Sequence, residues 1–299
     1  MIACVLAAAA NGVAYADDTK DVDAAIRAVI DGEQPWADSS TSSNKTPTQY
    51  SKLAGAYMLG PSGATVTDEE GLGAELHDIA PGNAPLGGIR WKLGALTVAV
   101  DGKRGFAWFQ APVTLALEFW WQGPDNPRAT DSLRASGVLV KDSKGWHLVA
   151  LALSRQLPDK VLFRGAKDTL ATGDPTVDDS ALAKRAAAWF GKGGLARGKT
   201  TGATVIASGT APAEYATGKA AGKLVTAWDK LGMRVKSIEA KMFAGDAVGV
   251  VRAEAQLPVK KLGAPMALYA IAVTEEGTWR WVSLQFATEL AKPPVPKQQ

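Results

Sequence analysis

Three side chains in this chain have the types that acid–base chemistry requires. His77 stands beside Glu75 and Asp78, Glu118 is the one carboxylate inside the otherwise apolar stretch 113–121, and Tyr57 lies on a short run that ends at Gly60. Abstracting a proton next to a carbonyl needs a base poised near neutral pH and a hydrogen-bond donor for the oxyanion that develops. A histidine or an enclosed glutamate supplies the first, and a tyrosine hydroxyl supplies the second. A Glu among apolar neighbours must be paired or protonated. Each residue also has a plainer reading. His77 fits a solvated or capping position on a helix, and Glu118 fits an edge-strand charge paired with Arg128 or Arg134. Tyr57, like Tyr269, fits a core residue with its hydroxyl at the rim. The second histidine, His147, alternates out of phase with Trp146 and reads as partly exposed.

Other chemistries find no residues to support them. The one cysteine, Cys4, sits inside an N-terminal apolar stretch, so the mature chain offers no thiolate nucleophile, disulfide or thiolate metal site. There is no His/Cys cluster and no helical His pair with a Glu, so neither metal nor cofactor is expected. Gly191-Lys192-Gly193-Gly194 lacks the strand that precedes a phosphate-binding loop, and no Gly-x-Ser-x-Gly elbow occurs. The 33 basic and 30 acidic side chains leave a net charge of +3 with no run of four cations, so a nucleic-acid partner is not expected. No later stretch reaches the roughly 18 apolar residues of a membrane span.

The elements that position these residues are ordered in two similar passes. At 299 residues, 46% hydrophobic and 21% charged, the chain has room for two globular domains of about 130 to 150 residues. Residues 1–16 run from an apolar core into Ala14-Tyr15-Ala16, the small-x-small pattern that signal peptidase accepts. They read as a signal peptide, with a buried N-terminal helix as the alternative, and they place the protein in the periplasm or outside the cell. Val22, Ala25, Ile26, Val29 and Ile30 then make one helical face. A short strand at 56–59 enters a turn, and 68–79 reads as a helix. Strands follow at 89–100, 106–121, 133–141 and 146–153. The second pass has a helix at 180–190, a strand at 203–210, a helix at 215–230 and strands at 233–242, 247–257, 265–273 and 279–286, with turns at 244–246 and 275–277. Helices followed by a meander indicate an α+β fold.

Three stretches align the passes: 57–63 with 204–210, 96–111 with 238–253, and 143–149 with 276–282. The expected organisation is a first domain at 21–166, a polar linker at 167–179, a second domain at 180–290 and a flexible tail at 291–299.

With these residues in view, the chain resembles the NTF2-like superfamily in its SnoaL-like branch, with DUF4440-type relatives. The resemblance rests on Leu59-Gly60-Pro61-Ser62-Gly63 with the helix after it, and on Gly145-Trp146-His147-Leu148-Val149-Ala150. In the second pass it rests on Ile206-Ala207-Ser208-Gly209 with its helix, and on Gly277-Thr278-Trp279-Arg280-Trp281-Val282. It spans nearly all of 21–290, and its motifs are structural. It implies two tandem cystatin-like cone domains, each with helices packed on a curved antiparallel sheet around a pocket. It also implies pairing of the two sheets through their outer faces, as a pseudo-dimer within one chain. Catalytic members resemble one another in placing a His or carboxylate base at the pocket floor, often with a Tyr partner. Here the last strand of the first domain carries Ala150, Leu151, Ala152 and Leu153 where the family pattern has a polar group. The second domain has no histidine, and its last strand offers only Ser283 and Gln285.

Ten tryptophans are many for this length. Trp91, Trp108 and Trp120 are the candidates to line an apolar pocket, with core packing as the alternative. The expected function is therefore an exported, non-enzymatic tandem protein that binds a small apolar ligand or a protein partner. The competing reading is an isomerase, cyclase or dehydratase of the ketosteroid-isomerase-like kind, using His77, Glu118 and Tyr57 in the first domain.

Overall fold

A computed structural model describes residues 15–30, 32–35, 57–59, 65–66, 86–119, 129–155, 168–190, 193–201, 205–209 and 214–288. The expected helix at 68–79, the turn after the short strand of the first pass and the tail at 291–299 lie outside them. Helix α1 (Tyr15–Ile30) buries Val22, Ile26, Val29 and Ile30, which follow the i, i+4, i+7, i+8 spacing of an amphipathic stripe. Its start is fixed by Asp18, which accepts hydrogen bonds from Lys141 Nζ and Trp146 Nε1.

The first sheet is built from β1 (Gly32–Pro35), β2 (Tyr57–Leu59), β3 (Thr65–Val66), β4 (Leu86–Leu93), β5 (Thr97–Asp101), β6 (Phe106–Phe119), β7 (Ala129–Asp142) and β8 (Gly145–Arg155). They lie in the order β1-β4-β6-β7-β8-β2-β3, with β5 also paired to β6. The second sheet uses β9 (Asp168–Thr169), β10 (Thr176–Val177), β11 (Ile206–Ser208), β12 (Tyr215–Thr217), β13 (Arg234–Phe243), β14 (Val248–Val259), β15 (Leu262–Glu275) and β16 (Thr278–Thr288). Its order is β10-β13-β14-β15-β16-β11-β12, with β9 on β15. Helices α2 (Ala181–Ala187), α3 (Gly194–Gly198) and α4 (Gly218–Asp229) accompany it. Each sheet is an antiparallel meander closed by a short strand that runs parallel to its last strand, β2 on β8 and β11 on β16.

The long hairpins of the two sheets also break register at the same step. In the first, Leu139 faces Leu148 and Val138 faces Ala150, so Val149 is the extra residue. In the second, Ala272 faces Trp281 and Ile271 faces Ser283, so Val282 is the extra residue. Such a bulge adds twist and turns the following side chains over by one step. At the tip of the β13–β14 hairpin, Ala244, Gly245 and Asp246 all have positive φ.

Three apolar layers result. One packs α1 on the inner face of the first sheet, and a second packs α2, α3 and α4 on the inner face of the second. The third joins the two outer faces, with Phe106, Trp108, Val138 and Ala150 of the first sheet against Val248, Val250, Tyr269 and Ile271 of the second. Arg104 Nη1 donates to Thr274 O at 2.8 Å and Thr97 Oγ1 lies 3.0 Å from Tyr215 OH across the same seam.

Several elements differ from the sequence reading. The strand expected at 89–100 is two, β4 and β5, because the chain breaks at Gly94, whose N donates to Pro112 O at 2.8 Å. A Cβ at Gly94 would lie 2.7 Å from Pro112 Cγ. The helix expected from Tyr215 begins at Gly218, whose φ of 56° ends the preceding strand β12. The stretch 167–179 contains β9 and β10, both paired into the second sheet. Helix α3 was not anticipated at all. Finally, Leu59 faces Ala152 as Ser208 faces Gln285, a two-residue offset from the alignment of 57–63 with 204–210.

Candidate functional site

The resemblance implies a pocket on the inner faces of the sheets. In the first sheet the described inner side chains are apolar: Phe109, Ala111, Val113, Leu133, Leu148 and Leu151 are each at most 3% exposed. Alternation along β6 places Ala107, Phe109 and Ala111 inward and Phe106, Trp108 and Gln110 outward. Gly137 on β7 makes room for the Phe109 ring, since a Cβ there would lie 2.5 Å from Phe109 Cε1.

The inner face of the second sheet is closed by its own tryptophans. Trp281 is fully buried and donates from Nε1 to Leu195 O at 2.8 Å, which ties α3 to β16. Trp189 lies over Gly198, where a Cβ would come within 2.4 Å of the ring. Trp228 of α4 meets Phe286 edge to face with ring centroids 4.0 Å apart. Asp229 at the end of α4 accepts from Ala196 N at 3.3 Å. Burial raises its carboxyl above the ordinary range, against the opposing pull of the Ala196 and Leu195 amides and Arg197. Burial likewise pushes Asp178 upward, but hydrogen bonds from Ser180 and from the Ala240 amide outweigh it, and the carboxyl is lowered.

His77 and Trp120 lie outside the described residues. Tyr57, Trp91 and Glu118 are described by backbone. Tyr57 pairs with Ala150, which pairs with Val138 and through it with Trp108. Glu118 faces Gly88, ten residues further along β6 than Trp108, which is roughly 30 Å of strand. Two strands, β7 and β8, separate β6 from β2. Trp108 is 2% exposed and packs in the seam between the sheets. His147 is half-buried at a hairpin end, with Nε2 2.9 Å from Asp142 Oδ1. Asp142 is held low chiefly by the Lys144 amide, with His147 adding to it.

Ser283 and Gln285, the polar groups noted on the last strand, do not share the inner face of Trp279 and Trp281. The bulge at Val282 turns them outward, and both are buried in the seam. Period-2 reading gives no sign of a bulge, so their true setting was missed. The sequence reading also missed Gln110 and Ser136, whose isolation as polar residues within apolar strands was the available signal.

Beyond the seam, the outer face of the second sheet has a shallow depression of about 50 Å³ edged by Lys236, Arg252, Glu254 and Gln256. Arg252 there is held by Glu254 at 2.8 Å and Glu239 at 3.7 Å. Room of this size admits a water or two and no larger ligand. Among the described residues no group of three or more His, Cys, Asp or Glu is arranged to hold a metal, and no helix is long and apolar enough to cross a membrane.

No family model matches the chain, and no curated protein matches it. Among solved structures it is similar to a protein with a cystatin-like fold from Caulobacter vibrioides, at 12% identity and TM-score 0.33, over 48% of this chain and 92% of that one. It is similar to an NTF2-like superfamily protein from Salmonella enterica serovar Typhimurium, at 15% identity and TM-score 0.34, over 48% and 95%. It is also similar to a ketosteroid isomerase-like protein from Erwinia carotovora atroseptica, at 13% identity and TM-score 0.32, over 48% and 99%.

Proposed function

We propose that this chain is an exported tandem of two NTF2-like units of the SnoaL-like kind, joined as a pseudo-dimer within one chain. The first unit binds a small apolar molecule on the inner face of its sheet, and the second unit serves as its structural partner. The observation that carries this reading is the contrast between the inner faces. The second is packed by Trp189, Trp228, Trp279, Trp281 and Phe286 of the chain itself, whereas the described part of the first, beneath α1, has mainly aliphatic groups with Phe109 and Trp146. An apolar wall with few polar groups is the usual make-up of a small-molecule site. The shared strand scheme and the bulges at Val149 and Val282 support the duplication.

Native mass spectrometry of the full chain, purified without detergent, tests the binding reading. The expected result is a small apolar molecule retained by the folded chain and lost on unfolding. A protein retained instead would replace the ligand class, and a bound molecule that is chemically converted on incubation would move the reading to the enzymatic alternative. Export is tested separately by sequencing the N-terminus of the mature protein, which should begin at Asp17.

A further inference from the structure

The seam between the sheets contains a polar strip in which each sheet contributes a glutamine to a pair of serines on the other. Gln110 of β6 donates from Nε2 to Ser208 Oγ and to Ser283 Oγ, each at 3.3 Å. Gln285 of β16 accepts from Ser136 Oγ at 2.6 Å and donates from Nε2 to Ser154 Oγ at 2.8 Å and Arg134 O at 3.0 Å. None of the six side chains is more than 1% exposed. In a dry layer such groups are costly whenever they face a surface without matching donors and acceptors.

The two outer faces are not interchangeable. Matching the hairpins through their shared bulge places Ala150 and Ala152 of the first sheet where the second has Ser283 and Gln285. The short strands likewise place Leu59 where the second sheet has Ser208. Bulk differs in the same way, with Phe106 and Trp108 standing where the second sheet has Val248 and Val250.

We propose that the strip is a pairing code, by which the outer face of the first sheet accepts the second sheet of its own chain and rejects a second copy of the first. A second copy in that place would present Ala150, Ala152 and Leu59, none of which carries a hydroxyl or amide. Gln110, Ser136 and Ser154 would then be buried without their partners. An all-apolar seam would discriminate less, because buried polar groups are among the devices that fix partner and register. The inference rests on the pairing of the sheets and is independent of what the inner face binds.

Thermal unfolding of three full-length variants tests it. Ser208→Ala/Ser283→Ala/Gln285→Ala removes from the second sheet the three polar side chains whose counterparts in the first sheet, Leu59, Ala150 and Ala152, carry none. Gln110→Leu/Ser136→Ala/Ser154→Ala removes the facing set. Each triple variant is expected to lower the unfolding midpoint by on the order of 10 °C. The variant carrying all six changes should recover most of that loss, since no side chain in the strip is left unmatched. Where a triple variant fails to fold, recovery of folded protein by the six-fold variant is the readout. A first triple variant as stable as the parent overturns the proposal, as does a six-fold variant whose loss is the sum of the two.

Discussion

Where the first sheet has Leu148 on its inner face, the second has Trp281 at the matching position of the matching hairpin. Further along the same strands Leu153 of the first corresponds to Phe286 of the second. The larger residues of the second sheet engage α3 and α4 directly, through Leu195 O and through the Trp228 ring. The same strand scheme therefore supports two kinds of inner face. One is packed by five large aromatic side chains and three helices, and the other by α1 on a mainly aliphatic face that includes Phe109 and Trp146. Strand pairing sets the shape of the unit, and a few side-chain sizes set how its inside is packed.

Truncating the larger side chain should have the larger effect. Trp281→Ala is expected to cost about 3 to 5 kcal/mol, through lost burial and the orphaned Leu195 carbonyl, whereas Leu148→Ala costs about 2 to 3. Urea unfolding of the two variants measures this, and equal losses would break the comparison. Gly198→Val, which drives a side chain into the Trp189 ring, should cost about 1 to 3 kcal/mol by the same assay. A neutral Gly198→Val would mean that the second inner face has slack and is itself a candidate site. The smallest effect belongs to Asp178, which accepts from Ser180 N and Ala240 N at 2.7 Å each and joins the start of α2 to β13. Asp178→Asn should cost about 1 kcal/mol at neutral pH. The carboxyl is lowered in the folded state, so its contribution is present above the ordinary carboxylate value and is lost as pH falls through the lowered one. The gap between parent and variant should therefore begin to close below about pH 4, and a gap that widens as the pH falls would refute the assignment.

Much of the second half was legible because its long, apolar strands are bounded by turns with positive φ, at Ala244-Gly245-Asp246 and Glu276-Gly277. Ser180 was readable as a helix start, and its hydroxyl accepts from Ala183 N. The bulges were not readable. Val149 and Val282 look like ordinary strand residues, yet each turns the rest of its strand over, and this moves Ser283 and Gln285 from a presumed pocket to a seam. The break at Gly94 depends on Pro112, a partner in another strand. The two-residue offset of β11 is a matter of lateral pairing, which local pattern does not encode. Of the acid–base candidates, the sequence supplied residue types, while the registers of Tyr57 and Glu118 supply distances that no spacing could have shown.

The most direct test of the account is a titration of the folded full chain with an apolar fluorescent probe, comparing the parent with Ala111→Phe and Ala253→Phe. These two alanines occupy matching inner-face positions, and both are fully buried. One probe per chain is expected, with an affinity about tenfold weaker in Ala111→Phe and unchanged in the folded fraction of Ala253→Phe, whose effect is on stability. Binding that survives Ala111→Phe but is lost in Ala253→Phe would contradict it.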